Sequence, residues 1–125
     1  MDFVWVALGG AAGACSRYGL GGWLVPRLGS TFPFHTLLIN VSGSLAIGVL
    51  LALLSELVAD PAWRLLLAVG FLGGYTTFSS YTFEALGLLE GGDWLLALAY
   101  VAGSNGLGLL AVFAGALIAR ALWHV

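Results

Sequence analysis

No aspartate, glutamate, lysine or arginine interrupts the chain from Phe34 to Ser55, or again from Trp94 to Ala119. About 20 mainly apolar residues is the length that crosses a bilayer as an α-helix. Charged residues make up only 8% of the sequence and hydrophobic ones 61%, against about 25% charged in a soluble domain. A chain of this composition cannot clothe itself for water. Backbone polar groups in lipid must be satisfied within the segment, and nothing here alternates as barrel strands do, so the apolar runs are expected to be helices.

Charged residues and Pro/Gly points divide the 125 residues into four apolar segments, about 3–25, 34–54, 64–89 and 94–122, joined by short loops. The expectation is one all-α membrane domain over 1–125, with four transmembrane helices and no room for a soluble domain. The opening carries Asp2 where a signal peptide would need a basic region. Trp5, Trp23, Trp63, Trp94 and Trp123 fall near segment ends, where interfacial aromatic belts form. Cys15, the only cysteine, sits among small residues and reads as a packing residue. No basic patch points to nucleic acid.

Four crossings put Arg64 and Arg120 on one side and Arg27 on the other, with Arg17 inside the first segment; lysine is absent. The positive-inside rule has almost nothing to act on. Either another feature sets orientation or the chain inserts both ways round, and the near-symmetry favours the second. Insertion both ways allows identical chains to pair antiparallel about an axis in the membrane plane. Small residues at four-residue spacing offer close-packing faces, namely Gly9 with Gly13, Ser44 with Gly48 and Gly115 with Ala119. Spacing does not separate packing within a chain from packing between chains.

Polar residues at membrane depth carry the functional signal. Arg17 closes GGAAGACSR, and a central arginine costs roughly 3 kcal/mol to insert unless it faces protein or water. It either snorkels to the nearer interface or lures an anion into a wet vestibule. In FHTLLINVSGSLAIG, Thr36, Asn40, Ser44 and Gly48 share one helical face. In AYVAGSNGLG, Tyr100, Ser104 and Gly108 do the same, with Asn105 turned about 100° from Ser104. Any one of these faces reads most simply as an interhelical hydrogen bond. Three on different helices read as a converging ladder of neutral donors.

The third segment exceeds one straight span and contains GGYTTFSSYTFE, residues 73–84. Gly73-Gly74 followed by Thr76-Thr77 is where it should break, and a break at this depth must be buried in protein or line a cavity. Unwound carbonyls and half-helix ends are ion-binding devices in membrane proteins. Phe78 and Tyr81 then share a face, and ring edges carry positive charge that suits a desolvated anion. Glu84 follows on nearly the same side. Enzyme chemistry is not expected: no paired carboxylates, metal cluster or nucleophile constellation appears, and His35 and His124 lie near segment ends.

GGAAGACSR, TLLINVSGS, GGYTTFSSYTFE and the Gly103-Ser104 pair, in this order along nearly the whole chain, resemble the CrcB/Fluc fluoride channels. The resemblance implies a passive fluoride channel that exports cytoplasmic fluoride through the inner or plasma membrane and confers fluoride resistance. It implies an antiparallel dual-topology homodimer with two pores. Phe78 and Tyr81 match the aromatic pair that meets fluoride edge-on. Asn40 and Thr36 match the polar pair of the second helix, and Tyr100 and Ser104 the polar track of the last. Arg17 and Glu84 match vestibule residues. The family's structural sodium would rest on the backbone carbonyls of Gly73 and Thr76. Tyr81 stands where phenylalanine is frequent, and Gly108 where some relatives continue the hydroxyl track. A small multidrug resistance-type proton-coupled exporter is the alternative, but that class needs a carboxylate in its first helix, where this chain has Arg17. A purely structural assembly subunit would leave the polar faces unexplained.

Overall fold

The computed structural model describes residues 1–56 and 60–123, and every described element is helical. Helix α1 spans Asp2–Leu28, running past the expected end at residue 25 and through Pro26. Pro26 lies in the last turn and leaves the Gly22 carbonyl without its usual backbone donor. The helix stops at Gly29, whose φ of 81° is left-handed and whose N–H returns to the Val25 carbonyl. The Arg27 guanidinium lies 4.1 Å over the Trp23 ring and donates to the Trp23 carbonyl, which anchors this end. Helix α2 spans Phe34–Glu56.

The third segment opens with Asp60 as N-cap, its carboxyl accepting from the Ala62 N–H at 2.9 Å, and Pro61 in the first turn. Pro61–Trp63 is α-helical, Arg64–Leu72 widens into π-type turns, and Gly73–Tyr75 returns to α geometry; residues 61–75 together form α3. Thr76 and Thr77 are extended (ψ 158° and 118°). Helix α4 resumes at Phe78–Glu90, and a turn through Gly92 (φ 83°) leads to α5, Trp94–Trp123. The segment therefore breaks, as expected, but at the two threonines. Both glycines of the motif remain helical.

The glycines have a different use. Helix α1 lies along α3 with backbones in contact: a Cβ on Gly9 would overlap the Leu66 carbonyl, and one on Gly13 the Phe71 carbonyl. From the other side, a Cβ on Gly74 would come to 2.5 Å from the Gly10 carbonyl. Helices α2 and α5 meet in the same way, Gly48 at the Val112 carbonyl and Gly115 at the Leu45 carbonyl. The four-residue small faces at Gly9/Gly13, Gly48 and Gly115 thus close helix pairs within one chain.

The fold buries little of its apolar surface. Only 17% of the most apolar stretch of α2 and 11% of that of α5 is buried, though both are long and apolar enough to cross a membrane. The core helix of a soluble protein would show the reverse. Phe3, Leu95, Leu109 and Phe113 all point outward, as do the five tryptophans near the helix ends. A helical surface of this kind suits lipid.

Candidate functional site

The break in the third segment is held open by one side chain. Asn40 of α2 donates from Nδ2 to the Thr77 carbonyl at 3.0 Å, and its Oδ1 accepts from the Thr77 N–H at 2.8 Å. A carboxamide carries a donor and an acceptor side by side, so it replaces both hydrogen bonds that Thr77 would have made in a continuous helix. The Gly73 carbonyl, four residues earlier, consequently receives nothing from Thr77. Thr76 turns its hydroxyl back to the Leu72 carbonyl at 2.9 Å, and Arg17 Nε of α1 reaches the Gly74 carbonyl at 3.1 Å. Arg17 thus braces the break from α1. Thr77 also caps α4, its Oγ1 accepting from the Ser80 N–H at 3.2 Å.

A groove of about 440 Å³ runs beside the break. Asn40, Thr77, Phe78, Tyr81, Ser104 and Asn105 give its wall polar atoms and ring edges, and Gly73 and Thr76 also border it. Phe78 is largely exposed on the rim, with its ring centroid 5.6 Å from that of the buried Tyr81. Ser104 Oγ is buried and has no hydrogen-bond partner among the described residues. A buried polar atom without a partner costs about 1–3 kcal/mol, and one lining a groove invites an acceptor from outside the chain.

Thr36 and Tyr100 go elsewhere. Both are almost wholly buried and donate to one carboxyl group, Thr36 Oγ1 to Glu84 Oε1 at 2.7 Å and Tyr100 OH to Glu84 Oε2 at 2.6 Å. His35 Nε2 comes within 3.3 Å of Glu84 Oε1, so this histidine near a segment end has a carboxyl partner. Phe32 sets its ring edge-on to Tyr100 (5.4 Å, 81°), sealing this cluster at one end. The ring of Tyr81, 5.3 Å from that of Tyr100, separates it from the groove. The candidate residues thus form two groups: Asn40, Gly73, Thr76, Phe78, Tyr81 and Ser104 at the groove, and Thr36, Tyr100 and Glu84 at the carboxyl cluster.

Replacing Glu84 by Gln sets an NH2 group where one of the two hydroxyls now finds an acceptor. A buried donor loses its partner, at about 1–3 kcal/mol. The expected result is a lower thermal unfolding midpoint for Glu84→Gln in detergent, and an unchanged midpoint would mean that the cluster does not form.

Asn105 was placed by rotation away from the polar face of α5, yet it lines the groove beside Ser104 and donates to Tyr81 OH at 3.0 Å. The groove is wide enough to take in neighbours 100° apart. His124 lies outside the described residues.

The family model described as "CrcB-like protein, Camphor Resistance (CrcB)" matches residues 4–116. The chain belongs to the CrcB-like family. Among similar proteins, one from Solibacter usitatus is 49% identical over 121 residues, covering 96% of this chain and 99% of its own. One from Thermus thermophilus is 50% identical over 120 residues (96% and 94%), and one from Koribacter versatilis 47% over 119 (94% of each). All three bear the name "Fluoride-specific ion channel FluC". CrcB-like relatives are thus named as ion channels, which are not enzymes.

Proposed function

We propose that the chain is a fluoride channel that lets cytoplasmic fluoride leave passively through the cell (inner or plasma) membrane. The names of its close relatives support the permeant ion. The observation that carries the reading is the buried Ser104 hydroxyl, without a partner among the described residues and set in the same groove as the Phe78 and Tyr81 rings. An anion entering low dielectric faces a penalty of tens of kcal/mol unless donors replace its water. Neutral hydroxyls, ring edges and the N-terminal end of α4 at Thr77–Phe78 are donors of moderate strength. Conduction needs binding that is favourable and still weak enough for release. Fluoride, the smallest halide and the strongest acceptor, gains most from such a lining.

On this reading the four helical segments each cross the membrane and two chains pair antiparallel, in dual topology, to form two pores. The groove is not enclosed in a single chain, and a second copy would close it. A structural sodium would rest on the carbonyls of Gly73 and Thr76. The residues fit: the Gly73 carbonyl lacks the Thr77 N–H and Thr76 is extended, leaving hard oxygen donors outside the helical ladder. When bound, the ion would supply a fixed positive charge tying the broken segments of two copies together. The exporter alternative is not favoured, because both oxygens of Glu84 are already engaged by hydroxyls.

The test is fluoride efflux from proteoliposomes of the purified protein, with chloride as comparison. Fluoride efflux well above that of empty vesicles, without matching chloride efflux, is expected. Absent fluoride efflux, or equal chloride efflux, overturns the reading.

A further inference from the structure

The hydrogen-bond pattern around Tyr81 limits where its proton can point. Asn105 Nδ2 lies 2.8 Å from the Val101 carbonyl oxygen and 3.0 Å from Tyr81 OH. A carbonyl can only accept, so the amide atom facing Val101 must be the NH2 group and the carboxamide cannot be flipped. One N–H goes to Val101 and the other to Tyr81. The phenol oxygen is therefore an acceptor on its Asn105 side, and its own proton must point elsewhere. No acceptor for that proton occurs among the described residues, although Tyr81 is buried and lines the groove. Next to Asn105 in the chain stands Ser104, whose hydroxyl is also unpartnered and borders the same groove.

We infer that Tyr81 meets the permeating anion with its hydroxyl as well as its ring, and that Asn105 is the positioning residue that turns this O–H into the groove. The inference rests on the channel reading and adds a specificity determinant to it. A phenol, which ionises near pH 10, is a stronger hydrogen-bond donor than an aliphatic hydroxyl. Its contribution grows with the acceptor strength of the ion, so it favours fluoride over larger halides. Asn105 strengthens the effect, because donation into the phenol oxygen polarises the O–H it carries.

The decisive variant is Tyr81→Phe, which removes one oxygen and keeps the ring between Phe78 and Tyr100. Two readings are taken on the purified full chain. In proteoliposomes, the fluoride-to-chloride flux ratio should fall about tenfold, the loss expected for one hydrogen bond to an ion. In detergent, sodium fluoride should produce a tyrosine ultraviolet difference signal in the wild type that Tyr81→Phe lacks. Asn105→Leu should lower the ratio by a smaller factor, and the double variant should be no worse than Tyr81→Phe alone. A flux ratio for Tyr81→Phe within about twofold of a conducting wild type overturns this inference and leaves the channel reading intact. Losses that multiply in the double variant overturn the positioning role of Asn105. A wild type that passes no fluoride overturns the channel reading, and this inference with it.

Discussion

Asn40→Asp should reduce fluoride efflux at least about a hundredfold, which corresponds to roughly 2.7 kcal/mol, while the assembly keeps its size on gel filtration. The substitution is nearly isosteric, so the argument turns on hydrogen-bond polarity alone. Aspartate still offers an acceptor to the Thr77 N–H, now bound at 2.8 Å. Its second oxygen, however, replaces the Nδ2 that lies 3.0 Å from the Thr77 carbonyl. Two acceptors then face each other across a distance at which a donor stood, and the extended pair Thr76–Thr77 loses half of what holds it. The same change adds a negative charge to the groove wall, which on the channel reading an anion passes. Both effects act in one direction, and burial makes each larger than it would be in water. Asn40→Ala leaves Thr77 without either bond but adds no charge, so it should lose less. Wild-type efflux in Asn40→Asp would remove Asn40 from the anion path and from the break together.

What sequence reading could and could not reach follows from the range of the interactions involved. The apolar runs, the polar faces and the presence of a break all depend on residues within a few turns of one another, and these were legible. The pairing of Asn40 with the backbone of Thr77 was not, because it joins residues 37 apart and depends on the relative height of two helices. Spacing put Asn40 on a polar face without indicating that its whole carboxamide spectrum, donor and acceptor, would serve one peptide unit. The break was read over Gly73-Gly74 and Thr76-Thr77 together, and only the threonine pair leaves the helix. In a helix packed this closely, Gly74 is needed for the absence of a side chain against α1, and the freedom of its backbone goes unused. Thr36 was read on the polar face of the second helix, Tyr100 on the polar track of the last, and Glu84 as a vestibule residue. Their hydroxyls instead converge on that carboxyl group, a meeting of three helices that no single-helix periodicity contains. The π-type turns of Arg64–Leu72 have no sequence signal in the residues that form them.

Gly13→Val should yield little or no folded protein, whereas Gly22→Ala should be recovered as well as the wild type. Both glycines lie in α1, so helix propensity alone predicts that both substitutions are tolerated, the alanine with a gain of about 0.5–1 kcal/mol. Their surroundings differ. A Cβ on Gly22 meets nothing within 4 Å. A Cβ on Gly13 overlaps the Phe71 carbonyl oxygen and stands 2.9 Å from the Tyr75 nitrogen. These are backbone atoms of α3, which cannot rotate aside as a side chain would. The helices must separate, and each retreat also opens the contacts of Gly9, Gly70 and Gly74 along the same seam. Lipid offers no hydrophobic driving force to hold a loosened pair together, since tails solvate the exposed faces as well as the partner helix did. The cost is expected at the upper end of overpacking, about 3 kcal/mol. It would reach the groove too, because the Arg17 bond to the Gly74 carbonyl spans this seam and steadies the turn just before the break. The measurement is the monodisperse fraction on gel filtration after extraction, compared across the two variants. Equal recovery would mean that α1 does not lie backbone to backbone on α3, and the frame that positions Gly73, Thr76 and Thr77 would have to be built some other way.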